Sequence, residues 1–193
     1  MKINVHAGHN PDGEVACGTV GLIKESTEAR NVVKHLIEKL KDRGHTVYDC
    51  TINDGNSQGD ILKKIVAKCN SNDVDIDLSI HFNAGVNDEK EDGNNTGTES
   101  YVYSSNSEAY SYGKVICEKI SELGYKNRGV KLSQSLYFLN NTKAQAILIK
   151  CCFVDNKNDT DIYSAESMAE AIADALGYKI GNNGSIEILD KAQ

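Results

Sequence analysis

The chain has 193 residues, which suits one compact domain, and its 39% hydrophobic and 25% charged residues are ordinary for a soluble globular protein. A formal net charge of -7 argues against nucleic acid as a partner, because phosphate binding requires clustered lysines and arginines. No apolar run approaches the ~18 residues of a membrane span, and the N-terminus has the pattern of a first strand and not of a signal peptide.

The first half of the chain alternates strand-like and helix-like segments. Segments with β-branched or alternating apolar residues are predicted as strands, and these are Lys2 to Ala7, His45 to Ile52 and Asp75 to Phe82. Apolar residues recur at helical spacing from Glu28 to Leu40, and Arg43-Gly44 predicts the end of that helix. A second helix is predicted to begin at Ser57, where Asp60 completes a capping pattern, and to reach Cys69.

The second half continues the alternation after a polar loop from Asn87 to Gly97. The remaining predicted elements are a strand from Thr98 to Tyr103, a helix from Glu108 to Leu123, a nearly continuous apolar strand from Ala146 to Val154 and a helix from about Asp159 to Leu176. An uninterrupted apolar strand is typical of the centre of a parallel sheet. The pattern predicts one α/β domain over residues 1–178, with a twisted, largely parallel sheet and helices on both faces, and a tail or linker start over 179–193.

The six cysteines form no CxxC pair, and four of them occupy apolar positions of predicted elements. We therefore interpret them as buried free thiols, which suits synthesis in a reducing cytoplasm.

Two histidines lie where predicted strands end, at His9 and His81, and glycine precedes the first of them. Open α/β sheets place their sites at strand ends. Glu25, just before the first long helix, could face the same crevice. Two imidazoles and one carboxylate, with a fourth position left to water, form the ligand set of a hydrolytic zinc site. Histidines in such places are also often solvated or hydrogen-bonded side chains, the interpretation we give to His35 and His45.

Five segments taken in order resemble the zinc amidases of the amidase type 3 family, above all the catalytic domains of clostridial phage endolysins. The segments are Val5-His6-Ala7-Gly8-His9, Gly21-Leu22-Ile23-Lys24-Glu25, Leu78-Ser79-Ile80-His81-Phe82-Asn83-Ala84, Gly97-Thr98-Glu99-Ser100-Tyr101 and Ala146-Ile147-Leu148-Ile149-Lys150-Cys151-Cys152-Phe153-Val154-Asp155-Asn156. The resemblance covers residues 2 to about 178. It implies a zinc-dependent peptidoglycan hydrolase that cleaves the amide bond between N-acetylmuramic acid and L-alanine of the stem peptide.

The resemblance also implies roles for individual residues. His9, Glu25 and His81 correspond to the zinc ligands, with Glu28 as the rival for the middle ligand. Further residues that by analogy shape the site or contact substrate, or make structural hydrogen bonds instead, are Asn83, Glu99 and Arg128.

The chain departs from the family pattern at Lys150, where the family has the glutamate that acts as general base. A lysine ammonium has no lone pair with which to accept a proton, and its reference pKa is ~10.4. The flanking residues are apolar, so a lysine here requires a crevice to open into. If the register is different, Lys150 points to solvent. The resemblance thus implies an amidase that is inactive or impaired by Lys150.

Two other functions remain as alternatives. One is a non-catalytic cell-wall-binding module that retains the amidase fold. A nucleotide-binding domain is disfavoured, because Gly8-His9-Asn10-Pro11-Asp12-Gly13 matches neither dinucleotide nor Walker loops. From the endolysin resemblance we expect synthesis in the host cytoplasm without a signal peptide, release to the wall, and a C-terminal wall-binding domain that is missing from this chain.

Overall fold

The computed structural model describes residues 1–85, 94–180 and 186–188. The strands are β1 (Lys2–Ala7), β2 (Thr46–Asp49), β3 (Ile76–Asn83), β4 (Thr98–Val102), β5 (Asn127–Leu132), β6 (Gln145–Phe153), β7 (Tyr178–Ile180) and β8 (Ile186–Ile188). The helices are α1 (Glu25–Asp42), α2 (Gln58–Asn70), α3 (Glu108–Ser121), α4 (Tyr137–Asn141), α5 (Lys157–Asp161) and α6 (Ala165–Ala175).

Six strands form one sheet in the order β2-β1-β3-β6-β4-β5. The pairs β2–β1, β1–β3 and β3–β6 are parallel. Strand β4 is antiparallel to β6, and β5 is parallel to β4. The predicted α/β class with a largely parallel sheet is confirmed, and β6, from the apolar segment, is central. A separate antiparallel pair, β7 and β8, begins at the last residue of the predicted domain and otherwise lies in the segment predicted as a tail. Residues 87–93, which are most of the predicted polar loop, lie outside the described residues.

The two faces of the sheet are covered by different helices. On one face, α1, α3 and α6 pack against alternate apolar residues of the central strands, including Val5, Ile80 and Ile149. On the other face, α2 and the short α4 form a smaller cluster around Ile65, Phe138 and other apolar residues. Alternation along each strand sends successive side chains to opposite faces, so polar residues between the apolar ones face α2 and α4.

Capping residues and glycine mark several of the helix ends. Ser57 caps α2, its Oγ accepting from the backbone N–H of Asp60 at 3.2 Å, as its sequence pattern predicts. Gly44 follows α1 with a positive φ of 82°, a conformation that glycine adopts without strain. The helix α1 begins at Glu25, three residues before its predicted start, and an acidic residue there suits the positive end of the helix dipole.

The last predicted helix is two helices in the structure. Asn156 caps α5 by accepting from the N–H of Asp159, and Ser164 caps α6 by accepting from the N–H of Ser167. These local side-chain bonds compete with a continuous helix, which is why apolar spacing alone failed to predict the break. The strands β5, β7 and β8 and the helix α4 were not predicted. In the described ranges, every helix is too short or too polar to cross a bilayer.

Candidate metal centre

Three parallel strands bring their carboxyl ends together at one edge of the sheet. His9 lies two residues beyond β1, and His81 lies near the end of β3. Lys150 lies on β6 directly opposite His81 in the strand register. The edge is where open α/β sheets place their sites, so the candidate residues meet there because the strands run parallel.

The turn after β1 directs His9 toward His81. His9 has a positive φ of 64°, which is uncommon for a residue with a side chain. At Gly8 an added Cβ would lie 2.0 Å from the His81 ring, so only glycine fits between the two histidines. The Arg30 guanidinium donates to the carbonyls of His9 at 2.9 Å and Ile52 at 3.1 Å and so fixes the turn. No signal in the sequence marks Arg30, because it occupies an ordinary helix position.

Glu25 is held by the backbone on both sides of its carboxylate. Its Oε2 accepts from the N–H of Thr19 and its Oε1 from the N–H of Phe82, each at 3.0 Å. The side chain is 3% exposed. The rival Glu28 accepts instead from Asn31 at 3.0 Å and is not a member of the cluster formed by Glu25. Backbone donors thus orient Glu25 and not Glu28 toward the histidines.

His9, Glu25 and His81 converge. One nitrogen or oxygen of each lies within 4.8 Å of the others. Nδ1 of His81 is 3.1 Å from Oε1 of Glu25, and Nε2 of His9 is 3.4 Å from Oε2. The predicted convergence is therefore present.

The electrostatics of the cluster leave lone pairs available for a metal. Burial lowers the pKa of His81 to about 4, so this imidazole is neutral at pH 7. Burial alone would raise the pKa of Glu25, but hydrogen bonds to His81 and His9 hold that pKa well below its ordinary value. Two imidazoles and an ionised carboxylate at these separations fit a zinc ion on donor chemistry and geometry.

Lys150 reaches the same cluster. Its Nζ donates to the carbonyl of Phe82 at 2.7 Å and lies 3.5 Å from Oε1 of Glu25. The side chain is 22% exposed, so it opens into the crevice and not fully into solvent. A fixed cation therefore stands beside the carboxylate of the candidate metal centre.

Asn83, Glu99 and Arg128 form a second polar network. Asn83 Nδ2 and Arg128 Nε both donate to the Glu99 carboxylate at 2.9 Å, and the hydroxyl of Tyr101 donates to it at 3.0 Å. Burial would raise the pKa of Glu99, but these donors lower it. Glu99 lies opposite Lys150 in the β4–β6 register, so the network borders the site. Tyr101 was not predicted as a member, although its partner Glu99 lies only two residues before it on β4.

All six cysteines are free, and none belongs to the metal-ligand cluster found among the described residues. Five are buried, and Cys17 is partly exposed. The candidate centre therefore uses imidazole and carboxylate donors only.

Fold and site together define an α/β protein with a His-Glu-His candidate metal centre at the carboxyl edge of its sheet. The family model for N-acetylmuramoyl-L-alanine amidase matches residues 3–182. The chain belongs to this amidase family.

Similar proteins come from Clostridium and from a phage. An uncharacterised 38.4 kDa protein of Clostridium perfringens is 38% identical over 93% of this chain and 49% of its own length. A second uncharacterised protein of that species is 36% identical over 93% of the chain and 52% of its length. The chain thus spans about half the length of these relatives. An endolysin of Bacillus phage SPP1 is 27% identical over 93% of the chain and 67% of its length.

Solved structures share the fold. The catalytic domain of the CD27L endolysin, which targets Clostridia difficile, matches with a TM-score of 0.81 and 27% identity over 91% of this chain and 96% of that one. The catalytic domain of CwlV, an N-acetylmuramoyl-L-alanine amidase from Bacillus (Paenibacillus) polymyxa, matches with a TM-score of 0.72 and 21% identity, over 91% and 96% of the two chains. At 21% identity, the match to CwlV shows a similar fold and nothing more.

Proposed function

We propose that this chain is a zinc-dependent peptidoglycan amidase domain whose hydrolytic step is impaired by Lys150. Its substrate is the amide bond between N-acetylmuramic acid and L-alanine of the stem peptide, and it acts at the bacterial cell wall. The observation that carries the proposal is the position of the Lys150 ammonium, 3.5 Å from the carboxylate of the cluster formed by His9, Glu25 and His81.

His9, Glu25 and His81 are the residues that would hold zinc. When bound, zinc supplies Lewis-acid chemistry, polarising an amide carbonyl and making water a stronger acid. The protein contributes a neutral His81 and an ionised Glu25, so neither has to lose a proton at pH 7 to present a lone pair. Arg30 keeps His9 in its unusual backbone conformation and so preserves the spacing of the donors.

Hydrolysis also requires a group that takes a proton from the attacking water. A carboxylate at position 150 could do so, because the side chain there reaches the metal ligands from the adjacent strand. The Lys150 ammonium is a donor only, and one of its three N–H groups donates to the Phe82 carbonyl. Its positive charge also opposes a divalent cation at the neighbouring ligands. We therefore expect both slow turnover and weakened zinc affinity.

The test is the Lys150→Glu substitution, assayed by loss of turbidity of purified cell walls with added zinc. We expect lysis to rise by at least ~10²-fold, because general-base catalysis contributes about 10²–10⁴-fold. Lys131→Glu is the matched control, since Lys131 is an exposed lysine on strand β5 and makes the same change of charge. Lysis by the parent within a few-fold of the Lys150→Glu rate would contradict the assignment of residue 150.

The second candidate is a wall-binding module without catalysis, favoured by the same ammonium at the site. It predicts that Lys150→Glu still fails to release N-acetylmuramic acid from L-alanine, while parent and variant both sediment with cell walls. New amino termini, detected by mass spectrometry after digestion, distinguish the two candidates.

A further inference from the structure

A broad groove lies at the edge of the sheet that β2 forms, apart from the ligands of the candidate metal centre. The cavity beside that centre, between α2, α4 and the sheet, has a volume of about 370 Å³ and belongs to the centre itself. The groove has a volume of about 620 Å³. Its lining residues come from α1, from the end of β2 and the loop after it, and from α2.

Most charged side chains of this groove are cations. Those that line it are Arg30, Lys34, Glu38 and Lys41 on α1, Asp49 at the end of β2 and Lys68 on α2. The chain as a whole has a formal net charge of -7, so the excess of cations here is local and opposite to the charge of the molecule. A groove lined by an excess of one charge concentrates ligands of the opposite charge.

The cations of the groove are not paired with carboxylates. The ion pairs among the described residues include neither Arg30, Lys34, Lys41 nor Lys68. The Lys68 ammonium donates instead to the carbonyl of Thr51 at 3.1 Å. The positive charge that lines the groove is therefore available to a ligand.

The same helix carries paired cations where it faces α6. Lys39 pairs with Glu170 at 2.6 Å, and Arg43, just after α1, pairs with Asp174 at 2.6 Å. The cations on the side of α6 are thus neutralised within the protein, and those that line the groove are not. This difference on one helix marks the groove as a surface for an anionic partner.

The spacing along α1 sets the length and charge pattern of that partner. Lys34 and Lys41 are exposed and lie two helical turns apart, about 10 Å along the helix axis. A single small anion cannot contact both of them. Glu38 lies between them and lines the groove as well. A ligand must therefore present anionic groups to the two lysines and an uncharged segment to Glu38.

We propose that this groove binds a linear polyol phosphodiester, in which phosphate groups alternate with short uncharged linkers. The phosphates contact Lys34 and Lys41, and a linker passes Glu38. Lysine binds phosphate as a point charge, whereas the planar fork that favours carboxylates belongs to arginine. The Arg30 fork already donates to the His9 carbonyl and to Oδ1 of Asn53.

Two other phosphate polymers fit the groove less well. Inorganic polyphosphate has contiguous charges, so it would place one of them against Glu38. Nucleic acid also alternates phosphates with uncharged segments, but its single strands bind on aromatic side chains. None of the ten residues that line the groove is aromatic.

The experiment is fluorescence anisotropy of a labelled, short glycerol phosphate oligomer, with unlabelled tripolyphosphate and oligothymidylate as competitors. It uses the full chain without added metal, at low ionic strength because salt screens exposed charges. The groove variant is Lys34→Gln with Lys41→Gln. The matched control is Lys114→Gln with Lys131→Gln, since both are exposed lysines outside the groove lining. A further variant, Glu38→Gln, removes the charge between the two groove lysines.

We expect the oligomer to bind more tightly than either competitor. Loss of one exposed ion pair costs about 2–5-fold in affinity, and sites two turns apart act nearly independently. The groove variant should therefore bind the oligomer about 4–25-fold more weakly, and the control should change the affinity by less than about two-fold. Glu38→Gln should strengthen tripolyphosphate binding more than oligomer binding, because only contiguous charge meets Glu38.

Three results would overturn the proposal. They are an absence of oligomer binding, equal weakening of that binding in the groove and control variants, and binding of tripolyphosphate or oligothymidylate as tight as that of the oligomer. None of them bears on hydrolysis, because Lys34, Glu38 and Lys41 lie outside the metal-ligand cluster. Failure here and failure of the proposed amidase activity are therefore separate results.

Discussion

The two faces of the central sheet use the same strands for opposite purposes. Toward α1, α3 and α6, strand β3 presents apolar residues such as Leu78 and Ile80, both fully buried in the main core. Toward α2 and α4, the same strand presents Asp77, Ser79 and His81. Because successive side chains of a strand point to opposite faces of the sheet, one strand can contribute to a closed core on one face and to a polar site on the other.

The difference follows from how much cover each face receives. The apolar face is covered by three helices, α1, α3 and α6, which leave little room for solvent or ligand. The polar face is covered by α2 and by α4, which has only five residues, and the cavity lies between them. Stability is therefore expected to depend mainly on the first face and binding on the second.

The largest expected effect is on the apolar face. Ile80→Ala removes a fully buried side chain from the main core and should lower the free energy of unfolding by about 2–5 kcal/mol. Urea denaturation followed by circular dichroism measures it. A loss below ~1 kcal/mol would show that this face is not the stabilising one.

On the polar face, Glu25→Ala should weaken zinc binding by more than the roughly 10–100-fold that loss of an outer-shell partner costs, because a ligand itself is removed. Competition with a fluorescent chelator measures the affinity. Glu28→Ala is the control, since Glu28 lies on the same helix but bonds to Asn31 outside the cluster. Equal losses in both variants would remove Glu25 from the ligand set.

Acid sensitivity should also arise from the polar face. The pKa of His6 is about 3 in the folded protein against 6.5 for an unperturbed histidine, so between these values the unfolded chain binds the extra proton. Stability contributed by neutral His6 is therefore complete above pH 6.5 and is lost as the pH falls toward 3, at up to about 1.4 kcal/mol per pH unit. Unfolding midpoints measured from pH 7 to 4 should fall less steeply in His6→Phe than in the parent.

The smallest expected effect is Ser79→Ala. Because the Ser79 hydroxyl has no partner among the described residues, its removal should leave stability unchanged or raise it by up to ~1 kcal/mol. Ser100→Ala should instead destabilise slightly, since the Ser100 hydroxyl bonds to Cys117 at 3.3 Å. Thermal melts without ligand compare the two, and a clear destabilisation by Ser79→Ala would show that this hydroxyl is already satisfied.

Much of the fold was predictable from local pattern. The strands β1, β3, β4 and β6 and the helices α1, α2 and α3 were predicted from apolar spacing and end signals. Spacing is informative there because each element buries one face or lies fully inside. The elements that the sequence analysis missed, β5, α4 and the pair of β7 and β8, have short or weak patterns. The helix break at Ser164 came from side-chain caps that compete with spacing.

The candidate site was likewise predictable in part from the sequence and in part only from the structure. His9, His81 and the departure at Lys150 were recognisable in sequence, because strand ends and family motifs mark them, while their role as a zinc site remains a prediction. The choice of Glu25 over Glu28 became clear only in the folded chain, where the N–H groups of Thr19 and Phe82 orient one carboxylate and not the other.

The sequence by itself thus determined the class of fold, the order of its main elements and the residue types available for chemistry. Only the tertiary structure decided which atoms meet. Arg30 reaches the turn at His9 from a helix, and His6 lies beside Ser79 through the β1–β3 register, 73 positions along the chain. Local pattern reports the burial of a residue, but a hydrogen-bond partner or an unpartnered atom depends on long-range packing that no local spacing encodes.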